Sequence, residues 1–302
     1  MNIVMTGASG LIGSTLRPVL QADGHTLIPL PRVSKRAGPP AARAWDPEKG
    51  AFPSEALEGA DAVIHLAGES IAALRWTAAK KDRIRNSRVT GTRQLCEAFA
   101  RLPRPPRVLV AASAIGYYGD RGDEILDEDS APGSGFFPDL CRDWEAATRP
   151  ATEAGIRVVN LRFGVVLARA GGALPRMLPP FRLGLGGPLG GGRQFMSWIA
   201  LDDAVGAIRH ALRDETLRGP VNAVSPQPVT NRDFARTLGG ILHRPTFFRV
   251  PAFVLKLVLG EMAGPLLLAS ARVAPRKLEA AGFAFRFPAL AGALRQALAA
   301  PA

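Results

Sequence analysis

The sequence predicts an α/β fold, a Rossmann-type doubly wound parallel sheet followed by a small, mainly helical C-terminal domain. Three observations predict it. Short β-rich runs alternate with helical segments through the first half of the chain, the pattern from which parallel sheets are built. The runs DAVIHLAG (61–68), RVLVAAS (107–113) and IRVVNLRFGVVLA (156–168) are nearly continuous in apolar residues, as expected of strands covered on both faces. Gly7, Gly10 and Gly13 follow the first strand and open the first helix.

NIVMT (2–6) reads as the first strand, LIGSTLRPVLQADG (11–24) as a helix ending at Gly24, and HTLIPL (25–30) as the second strand. Helical stretches over residues 77–99 and 139–154 separate the three apolar runs. RAGGALPRMLPPFRLGLGGPLGGGRQ (169–194) breaks the pattern: glycine and proline at this density make a long loop with one short helix. Irregular segments of that length in a compact domain are usually functional or disordered. TNRDFARTLGGIL (230–242) opens with a Thr and has an Asp three residues later, a helix start of the capping-box kind. The closing APRKLEAAGFAFRFPALAGALRQAL reads as a short helix, a strand-like turn and a last helix. The expected division is a dinucleotide-binding domain over 1–222, with 169–196 as its substrate-side loop segment, and a C-terminal domain over 223–302. No repeat of fixed period is found.

The chain of 302 residues can bury a full core, and 47% hydrophobic with 21% charged residues is ordinary for a globular protein. Two cysteines, Cys96 and Cys141, lie far apart, so neither a disulfide framework nor a metal site is expected. An apolar strand from Asn2 onward leaves no signal peptide to read. The longest apolar region, 250–270, is broken by Lys256, Glu261 and Pro265 and is not a membrane span. A soluble cytoplasmic protein, monomer or homodimer, is the expectation. The net charge of +12 raises nucleic acid as a partner, but the arginines are scattered apart from a cluster at 32–43. No basic run interleaved with aromatics appears, so neither nucleic acid nor membrane is expected as a partner.

Glycine is required between the first strand and helix because the backbone must turn tightly and approach a pyrophosphate with no Cβ in the way. The helix N-terminus then offers unpaired N–H groups and a positive dipole end to the anion. The candidate contacts are Thr6, Gly7, Ser9, Gly10, Leu11, Ile12 and Gly13. The second strand runs into LIPLPRVSKR, with Arg32, Lys35 and Arg36 and no acid. A cation there suits a 2′-phosphate, whereas an NAD reader carries an acidic residue for the ribose hydroxyls. NADP(H) is the expected cofactor.

With these residues in hand, the chain resembles the extended short-chain dehydrogenase/reductase family over nearly all its length. TGASGLIG resembles that family's glycine cradle, DAVIHLAGE its fourth-strand signature, SAIGYYGD its serine-bearing fifth strand, and MSWIALDDAVGAI a segment leading into a late helix. LAGESIAALRW, MLPPFRLGLGGPLGGGRQFMSWI and APRKLEAAGFAF are similar to one atypical branch, often labelled epimerase family proteins, with a small C-terminal domain of its own. The resemblance implies cofactor contacts at Leu66, Ala67, Gly68, Arg88 and Val166, and a substrate contact at Arg193, which with Arg182 flanks the glycine-rich loop. It implies Ser113 as a catalytic group that positions the reacting oxygen. Where the family has its Tyr-x-x-x-Lys pair, this chain has Phe137 and Cys141, with Glu145 four residues on. Phenylalanine has no proton to give, and a thiol does not reproduce a lysine's charge. Tyr117, Tyr118 and Glu69 are the candidates to replace the missing donor, and Glu69 reads equally well as a capping acid. His65 reads as a hydrogen-bonded core residue. Two functions follow: an NADP-dependent oxidoreductase or epimerase acting on an unassigned carbonyl or alcohol, with a sugar-nucleotide-like substrate as one candidate, or an NADP(H)-binding regulatory or interaction protein with little or no turnover.

Overall fold

The structure, a computed structural model, describes residues 1–32, 45, 52, 57–71 and 75–299. Lys35, Arg36 and the rest of the 32–43 cluster beyond Arg32 lie outside the described residues.

Six parallel strands form the central sheet: β1 (Asn2–Thr6), β2 (Thr26–Pro29), β3 (Ala62–His65), β4 (Val108–Ala114), β5 (Arg157–Phe163) and β6 (Gly219–Ala223). Their spatial order is β2-β1-β3-β4-β5-β6. An isolated parallel bridge from Arg32 to Trp45 continues the sheet outward beyond β2. The helices are α1 (Leu11–Ala22), α2 (Ala78–Arg85), α3 (Gly91–Ala100), α4 (Phe136–Ala146), α5 (Arg149–Glu153), α6 (Leu174–Arg182), α7 (Leu201–Arg213), α8 (Asn231–Leu242), α9 (Ala252–Leu259), α10 (Arg276–Ala280) and α11 (Leu290–Ala299).

The apolar runs are buried on both faces, as their composition requires. Ile3, Met5, Ile64, Val110 and Val159 pack under α1 and α7, through Leu16, Leu20, Ile208 and Leu212. Val4, Val63, Leu109 and Val158 point the other way, onto Leu95, Cys96 and Phe99 of α3 and onto Trp45.

One expectation needs correcting. The run 156–168 is two strands: the chain breaks at Gly164, and Val165–Leu167 pairs with Trp198–Ala200 instead. A Cβ at Gly164 would stand 2.6 Å from the Ser197 carbonyl oxygen, so only glycine lets the chains meet there. The FAFRF stretch before α11 is irregular. Asp203 accepts hydrogen bonds from the Arg286 and Phe287 N–H groups, and Phe283 and Phe285 pack on the core.

Thr230 caps α8 by accepting a hydrogen bond from the Asp233 N–H at 3.1 Å. Helices α6, α8 and α11 form a second core with Trp198. A further cluster joins the two parts of the chain: Met262, Leu259 and Leu266 pack with Trp76, Phe136 and Phe137. No helix among the described residues is long and apolar enough to cross a membrane.

A dinucleotide crevice as candidate functional site

The chain leaves β1 toward β2 on one side and returns to β3 on the other, so a crevice opens at the C-terminal ends of β1 and β3. Gly7 turns there with φ +69°, and a Cβ on it would stand 2.6 Å from the Leu66 carbonyl carbon. At Gly13 a Cβ would stand 2.9 Å from Ala8 Cα, so these two glycines let α1 settle against the turn. Gly10 differs. Its N–H donates to the Gly7 oxygen at 3.0 Å, and that oxygen, 3.3 Å away, is the single atom a Cβ would crowd. Its bare side faces outward, with Ser9 also exposed. Gly10 caps α1 without a side-chain bond, and the first turn holds no acid, which leaves helix-end donors to an external anion. Gly171 and Gly172 come down onto Leu11, where a Cβ on each would be 3.2 and 3.3 Å from its methyl groups. The start of the glycine-rich segment is thus a wall of the crevice. Val166 stands beside it, its carbonyl oxygen 3.4 Å from the position of a Gly172 Cβ.

Thr6 is fully buried. Its hydroxyl bonds His65 Nδ1 at 2.7 Å and accepts from the Ala67 N–H at 3.4 Å. Thr6 thus holds the Leu66–Gly68 backbone from behind. His65 Nε2 meets the Thr92 hydroxyl at 2.9 Å, and Trp144 Nε1 donates to the same oxygen at 3.0 Å.

Arg32 is exposed at the end of β2. Arg88 sits in a π-helical turn (Asn86–Thr90) between α2 and α3, a break in helical phase that often marks functional positions. Its guanidinium donates to the Glu69 carbonyl oxygen at 2.9 Å and lies 5.0 Å over the Trp144 ring. A Cβ at Gly68 would be 3.2 Å from Arg88 Cζ, so glycine admits the cation at the crevice wall. Burial pulls the Arg88 pKa below its ordinary value, opposed by the neighbouring Cys141 and Glu69. The Glu69 carboxylate accepts from Lys80 Nζ at 2.8 Å, and Ser87 Oγ takes its N–H at 3.0 Å. The Lys80 hydrogen bond holds the Glu69 pKa below the ordinary carboxylate value, against burial and helped by the charges of Lys80, Arg32 and Arg83. Ion-paired with Lys80, Glu69 ties the loop to α2.

Beyond β4 lies a closed polar network. The register places Ser113 beside Arg162 of β5. Arg162 grips Glu145 of α4 with two bonds of 2.7 Å. Ser113 Oγ donates to the same carboxylate at 2.6 Å. Arg162 Nη1 also donates to the Tyr118 hydroxyl at 2.9 Å, which in turn donates to Asn222 Oδ1 at 2.7 Å. Tyr118 is fully buried, and burial first of all pushes its pKa up to about 12, against Arg162 and Asn222. Its hydroxyl is spent inside this network. Ser113 is 3% exposed, with its hydroxyl proton committed to Glu145. Tyr117 is half-buried; its ring lies 3.5 Å from Arg162 Cζ, and its hydroxyl makes no hydrogen bond among the described residues.

Phe137 is buried, its ring packed over Gly116, where any Cβ would collide with it, and 5.9 Å from the Trp76 ring. Cys141 is buried too, and burial pushes its thiol up to about 12. Arg193 is exposed on the loop after α6. Sequence reasoning missed Arg162 and Asn222. A lone arginine inside the buried run VVNLRFGVV was the available signal, since such a charge must find a partner.

A crevice at the switch point of a doubly wound sheet, lined by a glycine turn and a bare helix N-terminus, defines a dinucleotide-binding α/β protein. The chain belongs to the NAD dependent epimerase/dehydratase family, whose profile matches residues 3–223, and residues 250–297 match a domain of unknown function, DUF1731. An epimerase family protein of Mycobacterium tuberculosis is 44% identical over 300 residues, 99% of this chain and 98% of the relative. The crystal structure of the human epimerase family protein SDR39U1 (isoform 2) with NADPH is similar at TM-score 0.89 and 36% identity, over 99% of this chain and 100% of that one. The nucleoside-diphosphate sugar epimerase of Corynebacterium glutamicum is similar at TM-score 0.80 and 38% identity, over 99% of this chain and 58% of that one.

Proposed function

We propose that this protein is an NADP(H)-dependent oxidoreductase or epimerase acting on a carbonyl or secondary alcohol of a sugar-nucleotide-like substrate. The observation that carries the reading is the crevice itself: an outward-facing Gly10 at a bare helix end, with Arg32 at the tip of β2 and Arg88 over Gly68. The human relative with NADPH and the nucleoside-diphosphate sugar epimerase support the cofactor and the substrate class respectively. Gly7, Gly10, Gly13 and the first N–H groups of α1 would hold the pyrophosphate, and Arg32 the 2′-phosphate. Bound there, the nicotinamide would give or take hydride at a carbon bearing oxygen. Tyr117 exchanges the proton with that oxygen, being the tyrosine whose hydroxyl is unspent among the described residues, and the Arg162–Glu145–Ser113 network fixes its ring. Arg193 meets the substrate's diphosphate.

A second reading, an NADP(H)-binding regulatory or interaction protein with little turnover, is favoured by one observation. Phe137 and Cys141 are buried where a Tyr and a Lys would act, and Phe137 is packed with Met262. Titration of cofactor-stripped protein with NADPH and NADH separates binding from its absence. NADPH binds the more tightly, and Arg32→Ala lowers that preference by roughly 10- to 100-fold, the worth of a charge-assisted phosphate contact. Failure to bind either cofactor overturns both readings. NADPH carrying deuterium on the transferred position then distinguishes them, with a panel of nucleoside-diphosphate keto-sugars whose carbonyl carbon can accept the deuteride as its oxygen takes a proton. Label in the sugar, lost in Tyr117→Phe, supports turnover; bound cofactor that never passes its label supports the second reading.

A further inference from the structure

Eight large apolar side chains are exposed among the described residues, and seven of them fall in two segments, 183–185 and 247–258. Leu183, Phe247, Phe253 and Leu257 are each at least 70% exposed. The fold brings the two segments together. Leu189 forms a parallel bridge with Val250, whose N–H donates to the Pro188 oxygen at 3.0 Å, and Arg244 Nε donates to the Arg182 oxygen at 2.9 Å. Phe253 and Leu257 stand one turn apart on α9 with exposed Lys256 between them.

The charge around this surface has one sign. No Asp or Glu occurs between Glu153 and Asp202, nor between Asp233 and Glu261, while Arg182, Arg193, Arg244, Arg249 and Lys256 fall within those stretches. Glu261, at the boundary, is ion-paired with Lys81. A second copy of the chain laid on this face would set cation against cation with no carboxylate to answer, so self-association is disfavoured. The partner that fits is anionic and also accepts bare Phe, Leu and Val side chains.

We propose that this face docks on an anionic lipid surface. The apolar side chains of α9 and the Phe247–Phe248 pair, whose rings lie 4.7 Å apart, enter the headgroup layer, and Lys256 with Arg182, Arg244 and Arg249 meets lipid phosphates. The attachment is peripheral: α9 has 8 residues and ends at Gly260, too short to span. It is independent of the catalytic reading, since none of these side chains lines the dinucleotide crevice.

Co-sedimentation of the full chain with extruded vesicles tests it, using phosphatidylcholine alone and phosphatidylcholine mixed with phosphatidylglycerol. The chain pellets with the mixed vesicles and stays in solution with the neutral ones. Lys256→Gln weakens the binding about fivefold, the worth of one basic residue at such a surface. Phe253→Asp with Leu257→Asp weakens it by roughly tenfold or more, with an unchanged thermal midpoint showing that both exposed positions tolerate the change. Binding to neither kind of vesicle overturns the proposal, as does binding that the double variant retains. A wild-type dimer in light scattering that the double variant splits assigns the face to a second copy and also overturns it.

Discussion

His65 lies fully buried on β3 with both ring nitrogens taken by threonine hydroxyls, and burial pulls its pKa down to about 4 from the ordinary 6.5. The unfolded chain therefore binds a proton between pH 6.5 and about 4 that the folded chain refuses, so stability is full above that window and falls as the pH drops through it. From pH 7 to pH 5 this single group costs about 2 kcal/mol. Urea unfolding of wild type and His65→Gln at both pH values checks it: the variant loses about 2 kcal/mol less over that interval. Equal losses would mean that the ring is protonated in the folded protein. The same closed pairing explains what could not be read from residue identity alone. Ser113 and Tyr118 look like catalytic hydroxyls in SAIGYYGD, yet each has its proton taken by a group 32 or 104 residues away. Partners that distant leave no local pattern in the chain, whereas the glycines of the crevice act through their own backbone and are legible at once.

Helix α4 shows what replaced the missing pair. Its inward face carries Phe137, Leu140, Cys141 and Trp144, an apolar stripe at helical spacing. Phe137 closes over Gly116 on one side and shares a cluster with Met262, Leu259 and Leu266 on the other. The position that a tyrosine would occupy is thus part of the packing between the sheet domain and the C-terminal region. The absence of Tyr and Lys was plain in the sequence; the socket was not, because Leu259, Met262 and Leu266, which close one side of it, come from more than 100 positions downstream. Restoring the pair does not restore a site. A lysine at position 141 would place an ammonium in a fully packed interior with no carboxylate free for it, since Glu145 is held by Arg162 and Ser113. Phe137→Tyr with Cys141→Lys lowers stability by roughly 3–5 kcal/mol and yields no hydride transfer from NADPH, measured by thermal unfolding and by cofactor absorbance. A stable double variant would show that the helix can turn this face outward.

Across the whole molecule, the boundary near residue 222 marks where the central sheet ends and not where the chain can be cut. Arg272–Val273 pairs with Ile125–Leu126, and Asn222 Nδ2 donates to the Ala274 oxygen at 3.0 Å. Ser197 Oγ donates to the Ala271 oxygen at 2.8 Å, and Asp203 at the start of α7 takes the N–H groups of Arg286 and Phe287. Arg75, ahead of α2, donates to the Leu257 oxygen at 2.7 Å at the far end of α9. Groups on both sides of the boundary therefore complete each other's hydrogen bonds, and opening either part alone would leave buried donors unpaired at about 1–3 kcal/mol each. Such coupling predicts one cooperative transition for the whole chain in scanning calorimetry. NADPH at about 100 times its dissociation constant moves that single transition upward, by the roughly 2.7 kcal/mol that mass action supplies. Because every residue that lines the crevice lies on the sheet side of that boundary, a ligand there can stabilise the C-terminal helices only through these cross-bonds. Two resolved transitions, with only one responding to NADPH, would show that the helical region folds as an independent unit.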